Sequence, residues 1–258
     1  MHLPPVFRLS KDSRPMTVSS APLSALITLD DAVVTTRRSG DRLLAVPALA
    51  IAPGSRTVVM GPSGAGKSML LSALTGRLPG AVTLAGTRTA APDLRIGFVP
   101  QRGAEALHPL LPIGRQLRSV TGTTPARVAE VLAAVGLDAG ALAGRRPAEL
   151  SGGQLQRAAI SLAFLGSPAL VIADEPTSAL DNASRDETLA MLRALSDTTG
   201  SALVVATHDP LVRPALDAAL IRVESGRVTV DAGTLAAPAA PAAGVPAPTV
   251  PAAHGAAA

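Results

Sequence analysis

The run VVMGPSGAGKSML, residues 58–70, sets three glycines, a lysine and a serine directly after an apolar β-type segment and at the start of a helical one. Gly61, Gly64 and Gly66 permit tight turning and let the backbone approach an anion closely. The N–H groups of residues 63–68 then converge on a phosphate, helped by the N-terminus of the following helix. Lys67 is placed to bridge β- and γ-phosphates and the Ser68 hydroxyl to ligate Mg²⁺; Pro62, Ser63 and Ala65 complete the loop. Such a loop binds a nucleotide, and by itself it does not choose among kinase, GTPase and ATPase.

Outward from this loop, short β-type runs alternate with helical stretches. RTVVM (56–60), RIGFV (95–99), ALVIA (169–173) and SALVVAT (201–207) read as buried strands, the last three dense in Val, Ile and Leu. Helices are expected over 66–76, 125–135, 153–165 and 183–198, with Thr124-Pro125 as the start signal of the second. This alternation predicts an α/β fold with a mostly parallel sheet covered on both faces.

Two of the strands end in chemistry. LVIADEPTSALD (170–181) delivers Asp174 and Glu175 at the carboxyl end of a buried strand, the end at which ligands sit in a parallel sheet. Asp174 is placed to hold Mg²⁺, and Glu175 to orient and polarise an attacking water. VVATHDP (204–210) brings His208 out at the same end, and GFVPQ (97–101) brings Gln101. A third element, ELSGGQLQR (149–157), offers the Ser151 hydroxyl, the N–H groups of Gly152 and Gly153 and the Gln154 amide at the start of a helix. Those groups bind an anion well and make or break no bond.

Composition bounds what else the chain can be. At 47% hydrophobic residues over 258 positions it can bury a substantial core, and with no cysteine it has no disulfide, thiol nucleophile or thiolate metal site. The net charge of +4 is spread along the chain and aromatics make up 1%, so a basic stripe with stacking rings is missing and no nucleic-acid partner is expected. No run reaches the roughly 18 apolar residues of a membrane-spanning helix, and the N-terminus carries no signal-peptide core. A cytoplasmic protein follows, whose membrane role would need a separate partner. Residues 1–25 read as a flexible lead-in, 26–236 as the folded domain, and 237–258 as a disordered Ala/Pro tail.

In order, GPSGAGKS, FVPQ, LSGGQLQR, LVIADEP, SALD and ATHD resemble the nucleotide-binding subunit of ATP-binding cassette (ABC) transporters over roughly residues 27–231. The resemblance implies a RecA-like P-loop NTPase core with a small antiparallel β-arm and a helical subdomain inserted at about 102–149. It also implies ATP and Mg²⁺ as cofactors and a second ATPase subunit, identical or related, packed head to tail. Each ATP then lies between one subunit's P-loop and the other's Ser151-Gly152-Gly153-Gln154 signature. Glu175 matches the catalytic base, His208 the switch histidine, Gln101 the Q-loop residue that senses Mg²⁺ and γ-phosphate, and Asp181 the D-loop aspartate at the dimer interface. The helical subdomain would dock an integral membrane permease, placing the protein on the inner face of the cell membrane.

Within that subdomain EALHPLLPIGRQL (105–117) is similar to ATPases of dipeptide, oligopeptide and nickel importers, with His108 where that group carries Asn. An extracytoplasmic solute-binding protein is implied. Two departures stand out. The region that stacks adenine on an aromatic in the family reads DAVVTTRRSGD (31–41), with Thr36 or Arg37 near the position. Only 32 residues separate Ser68 from Gln101, so the β-arm around AVTLAGTRT (81–89) is expected to be trimmed. The rival readings are a soluble ABC-type ATPase acting on nucleic acid or ribosomes, and an exporter subunit. A single cassette without sustained heptads or fused membrane helices argues against both.

Overall fold

The computed structural model describes residues 25–120, 123–178 and 180–231; the expected lead-in and Ala/Pro tail fall almost entirely outside them. In chain order the elements are β1 (Ile27–Thr36), β2 (Arg42–Ile51), β3 (Arg56–Met60), α1 (Lys67–Thr75), β4 (Val82–Ala90) and β5 (Ile96–Val99). Then come α2 (Ile113–Arg118), α3 (Pro125–Ala134), α4 (Ala139–Leu142), α5 (Gly152–Phe164), β6 (Leu170–Asp174) and α6 (Asn182–Thr199). β7 (Ala202–Thr207), α7 (Val212–Leu216), β8 (Ala219–Glu224) and β9 (Arg227–Val230) complete the described chain.

The strands form one sheet in the order β4-β1-β2-β9-β8-β3-β7-β6-β5. From β8 to β5 every pairing is parallel, as in a doubly wound fold, while β4-β1-β2 is an antiparallel arm. The two parts meet where β9, antiparallel to β8, pairs in parallel with β2 at Ala45 and Arg227. The period of two along each central strand divides the core. Val58, Val171, Ala173, Leu203 and Val205 face one hydrophobic cluster, built with α2, α3, α5, α6 and α7. Val59, Leu170, Ile172, Val204 and Ala206 face the other, built with α1 and the arm. The fold is α/β with a mostly parallel sheet, and α2–α4 are inserted between β5 and α5.

The four expected strands and four expected helices are present with bounds shifted by a residue or two. Thr124 caps α3 as read, its hydroxyl accepting from the Arg127 amide at 3.2 Å. The expected arm around 81–89 is present: β4 runs nine residues beside two ten-residue strands and pairs with β1, and a short connection, 91–95, leads to β5. β1, β2, β8 and β9 were not legible as strands.

Candidate functional site

Three strand ends and one helix start build the site. After β3 the chain turns at Gly61, where a Cβ would lie 2.2 Å from the Val223 carbonyl oxygen of β8; only glycine fits that approach. Gly66 then caps α1 at φ 110°, a left-handed conformation that points the first-turn N–H groups at a ligand position. Lys67, buried at 7% exposure, donates to the carbonyls of Gly61 at 2.8 Å and Pro62 at 3.2 Å, so its side chain curls back over the loop.

β6 is buried through Ala173 and brings Asp174 and Glu175 to the same edge. The Glu175 amide donates to the Ala206 carbonyl of β7 at 2.9 Å, continuing the ladder one residue past the strand at a φ of 46°. That left-handed turn redirects Glu175 across the site, a strained arrangement of the kind found where geometry matters more than local comfort. Its Oε1 lies 3.1 Å from Lys67 Nζ, and its Oε2 lies 2.9 Å from His208 Nδ1, carried in at the end of β7. The Ser68 hydroxyl donates to Asp174 Oδ2 at 2.9 Å, while Asp174 Oδ1 is buried without a hydrogen-bond partner. Burial pushes the Asp174 carboxyl above its ordinary range; the Ser68 bond opposes the rise, Glu175 adds to it and Lys67 opposes it.

An orphaned buried carboxylate oxygen beside a serine hydroxyl is an unmet demand for a cation, so Ser68 and Asp174 fit Mg²⁺ by donor chemistry. Gln101 is not brought to this pair. Its amide donates to Ser178 Oγ at 3.1 Å, in the turn after Glu175. Ser178 thus ties the end of β5 to the β6 exit, a link that no spacing in the sequence signals.

The signature stands at the start of α5. Ser151 is the N-cap: its Oγ accepts from the Gln154 amide at 3.2 Å, and Gln154 Oε1 accepts from the Ser151 amide at 3.0 Å. The capping box consumes only the acceptors of these two side chains. The Ser151 O–H and the Gln154 NH₂ keep their donors. Gly152 and Gly153 are exposed, and a Cβ on either would meet nothing within 4 Å. Sequence spacing missed Gln156, which is buried because its carboxamide donates to the Pro176 carbonyl at 3.2 Å. That bond couples the signature helix to the turn carrying Glu175. Leu155 and Leu162 of α5 are only partly buried, and Ile160, Ala163 and Phe164 supply more of its apolar face.

Asp181 caps α6, accepting from the Ser184 amide at 3.0 Å and its hydroxyl at 2.8 Å, and these bonds hold its carboxyl below the ordinary value. Thr36 lies at the end of β1 and Arg37 in the turn after it. Among the described residues the phenylalanines are Phe98 and Phe164, neither in that turn.

Residues 45–178 match the family model described as "ABC transporter". The zinc import ATP-binding protein ZnuC of Cereibacter sphaeroides is 40% identical over 174 residues, covering 67% of this chain and 69% of that protein. The oligopeptide transport ATP-binding protein OppD of Mycobacterium tuberculosis is 35% identical over 239 residues, covering 82% of this chain but 39% of its own length. The ATP-binding cassette MJ0796, solved as a dimer bound to ADP and Pi, superposes with a TM-score of 0.63 at 30% identity over 78% of this chain and 96% of that one. With a nucleotide loop, a carboxylate pair and a signature helix on one P-loop sheet, and with these relatives, the chain belongs to the ABC transporter family as an ATP-hydrolysing subunit.

Proposed function

We propose that this ATPase works as a head-to-tail dimer, with an identical or related subunit, and drives a separate membrane permease from the inner face of the membrane. The observation that carries the dimer is the donor-only display at the start of α5. Two glycines with no steric need in their own chain, a serine O–H and an amide NH₂ stand on a helix N-terminus, and the two side-chain donors make no hydrogen bond among the described residues. Glycine in a helix costs about 0.5–1 kcal/mol relative to alanine, so its use twice here points to close approach by something from outside. The γ-phosphate of ATP held on the partner's P-loop has the charge and the reach.

In this reading the loop Gly61, Pro62, Ser63, Gly64, Ala65, Gly66 cradles the phosphates with its N–H groups. Lys67 pairs with β- and γ-oxygens, and Ser68 and Asp174 hold Mg²⁺, with Gln101 joining them once the site closes. The ion supplies neutralisation of the phosphate charge. Glu175 accepts the proton of the attacking water, His208 orients Glu175 and stabilises developing charge, and Asp181 sets the partner interface. Residues 26–236 are one ABC ATPase domain in which 102–149 docks the permease.

An importer of peptides, nickel or a related small solute, fed by an extracytoplasmic binding protein, is the reading favoured by residues 105–117. There Gln116 is buried and bonds His108 N, His108 O and Leu111 O, so the loop carrying exposed Leu110 is held rigidly outward, as a docking surface requires. The relatives are named for several transport systems, oligopeptide and zinc import among them, so the peptide or nickel reading rests on residues 105–117. The test is purification of the Glu175→Gln chain with Mg-ATP from gently solubilised cells. Dimerisation with recovery of polytopic membrane proteins and a binding protein supports the reading; recovery of ribosomes or DNA-repair factors overturns the transporter part.

A further inference from the structure

We propose that Gly226, in the turn between β8 and β9, is a positioning residue for nucleotide binding: it fixes the peptide that aims one amide of the phosphate loop. Two residues join the strands, Ser225 at φ 46° and Gly226 at φ 72°, between the paired Glu224 and Arg227. Positive φ at both positions is the pattern of a type I′ hairpin turn, in which the ladder needs neither central amide. The Gly226 amide donates instead to the Ala65 carbonyl, inside the phosphate loop, at 2.9 Å. The Gly226 carbonyl accepts from the Ala45 amide of β2 at 2.7 Å, and a Cβ on Gly226 would collide with the Leu43 carbonyl oxygen. Gly226 is thus wedged between the loop and the start of β2, where only glycine fits.

The Ala65 C=O and the Gly66 N–H belong to one planar trans peptide, so they point in opposite directions. Anchoring the carbonyl on Gly226 therefore turns the Gly66 N–H away from the β8–β9 turn. The space on that side is filled: Leu44 Cδ1, Gly226 Cα and the Leu43 carbonyl oxygen lie 3.5, 3.7 and 3.7 Å from where a Gly66 Cβ would stand. The Gly66 N–H donates to no backbone carbonyl among the described residues, as befits the cap of α1. A phosphate on that N–H would polarise the shared peptide and strengthen the bond behind it. The Gly66 amide is therefore a donor set in advance for an anion, and a turn remote in sequence sets it. This inference rests on the reading of residues 61–66 as the phosphate cradle; it needs neither the dimer nor the permease.

Equilibrium binding of Mg-ADP to the purified full chain tests it. Gly226→Ala forces the turn off Leu43 and loosens its bond to Ala65. The dissociation constant for ADP should rise about tenfold, the worth of one donor to an anion. KM for ATP should rise with it and kcat stay within about twofold, because the amide holds phosphate before and during the reaction alike. Gly200→Ala carries similar left-handed strain, at φ 67° with nothing within 4 Å of its Cβ position. It should lower the melting temperature and leave the ADP constant within about twofold. Lys67→Met marks the cradle itself and should weaken ADP binding. Normal binding in Gly226→Ala beside weakened binding in Lys67→Met overturns the proposal and keeps the cradle. Normal binding in both overturns the cradle reading and the proposal with it. An equal loss of affinity in Gly226→Ala and Gly200→Ala makes Gly226 a residue of the fold alone and also overturns it. If Gly226→Ala does not fold, amide hydrogen exchange on the wild type decides. Exchange at Gly226 should slow on adding Mg-ADP by more than at Gly136, whose amide donates to the Ala133 carbonyl at 2.9 Å at the end of α3. Equal changes at the two glycines overturn the proposal.

Discussion

Lys67 Nζ lies 3.1 Å from Glu175 Oε1, with the two side chains only 7% and 14% exposed. Two carbonyls take the remaining ammonium donors, so without nucleotide the lysine is saturated by its own chain. In the proposed mechanism a γ-phosphate on Lys67 would displace Glu175, and the same exchange would release the glutamate toward water.

Glu175→Gln removes the charge that competes for Lys67. Nucleotide affinity should be retained or increased, while turnover falls by about 10²–10⁴-fold, the usual worth of a general base. Equilibrium binding and steady-state ATPase assays on one preparation check this; ordinary turnover in the variant would remove Glu175 from the mechanism.

Gln154→Glu keeps an acceptor for the Ser151 amide and so preserves the capping box, but it replaces two outward donors with a negative charge. We expect an unchanged melting temperature and ATPase activity lost by at least about tenfold, the value of one donor to an anion. Loss of stability along with activity would make the signature a helix cap and nothing more.

Gly152→Ala and Gly153→Ala meet no steric obstacle within the chain and should stabilise α5 by up to about 0.5–1 kcal/mol each. If the glycines admit a partner's nucleotide, the same changes lower ATPase activity. Thermal denaturation and turnover thus move in opposite directions, and movement together would count against the dimer.

Asp174 is a buried carboxyl whose ionised form is disfavoured in the metal-free protein. Its folded value lies above its unfolded one, so the stability it contributes is fully present below the ordinary carboxylate range and is lost as pH rises through the raised folded value. At neutral pH Asp174→Asn should raise the melting temperature of the metal-free chain and abolish the further rise that Mg-ATP gives the wild type. Scans with and without Mg-ATP at pH 7 decide it.

Base selectivity follows from the turn after β1. With no aromatic residue in that turn and Arg37 there to stack on a base instead, the preference for ATP over GTP should be under about tenfold. Competition between the two nucleotides measures it directly; a larger preference would require a base contact elsewhere.

Much of the site was legible because local chemistry specifies it. Glycine at a close approach, lysine after it and carboxylates at the end of a Val/Ile/Leu run are decided within a few residues, and β3, β6 and β7 carried them to one edge as read. β1, β2, β8 and β9 escaped because their burial depends on neighbours remote in sequence, as with the lone bridge from Ala45 to Arg227. Partners across the sheet were equally hidden: Gln101 to Ser178 spans 77 residues and Gln156 to Pro176 ties a helix to a turn.

The sequence by itself determined the α/β class, the phosphate loop and the identities of Lys67, Ser68, Asp174, Glu175 and the Ser151–Gln154 signature, since these rest on residue type and on the three-dimensionally local periods of helix and strand. Only the tertiary structure decided that Glu175 lies between Lys67 and His208, that Asp174 keeps an oxygen without a partner, and that the capping box leaves its donors outward. The first two are relations between segments remote in sequence, 33 residues apart for Glu175 and His208, and they exist only once the sheet order brings β3, β6 and β7 side by side, whereas the outward donors follow from the first turn of α5 itself.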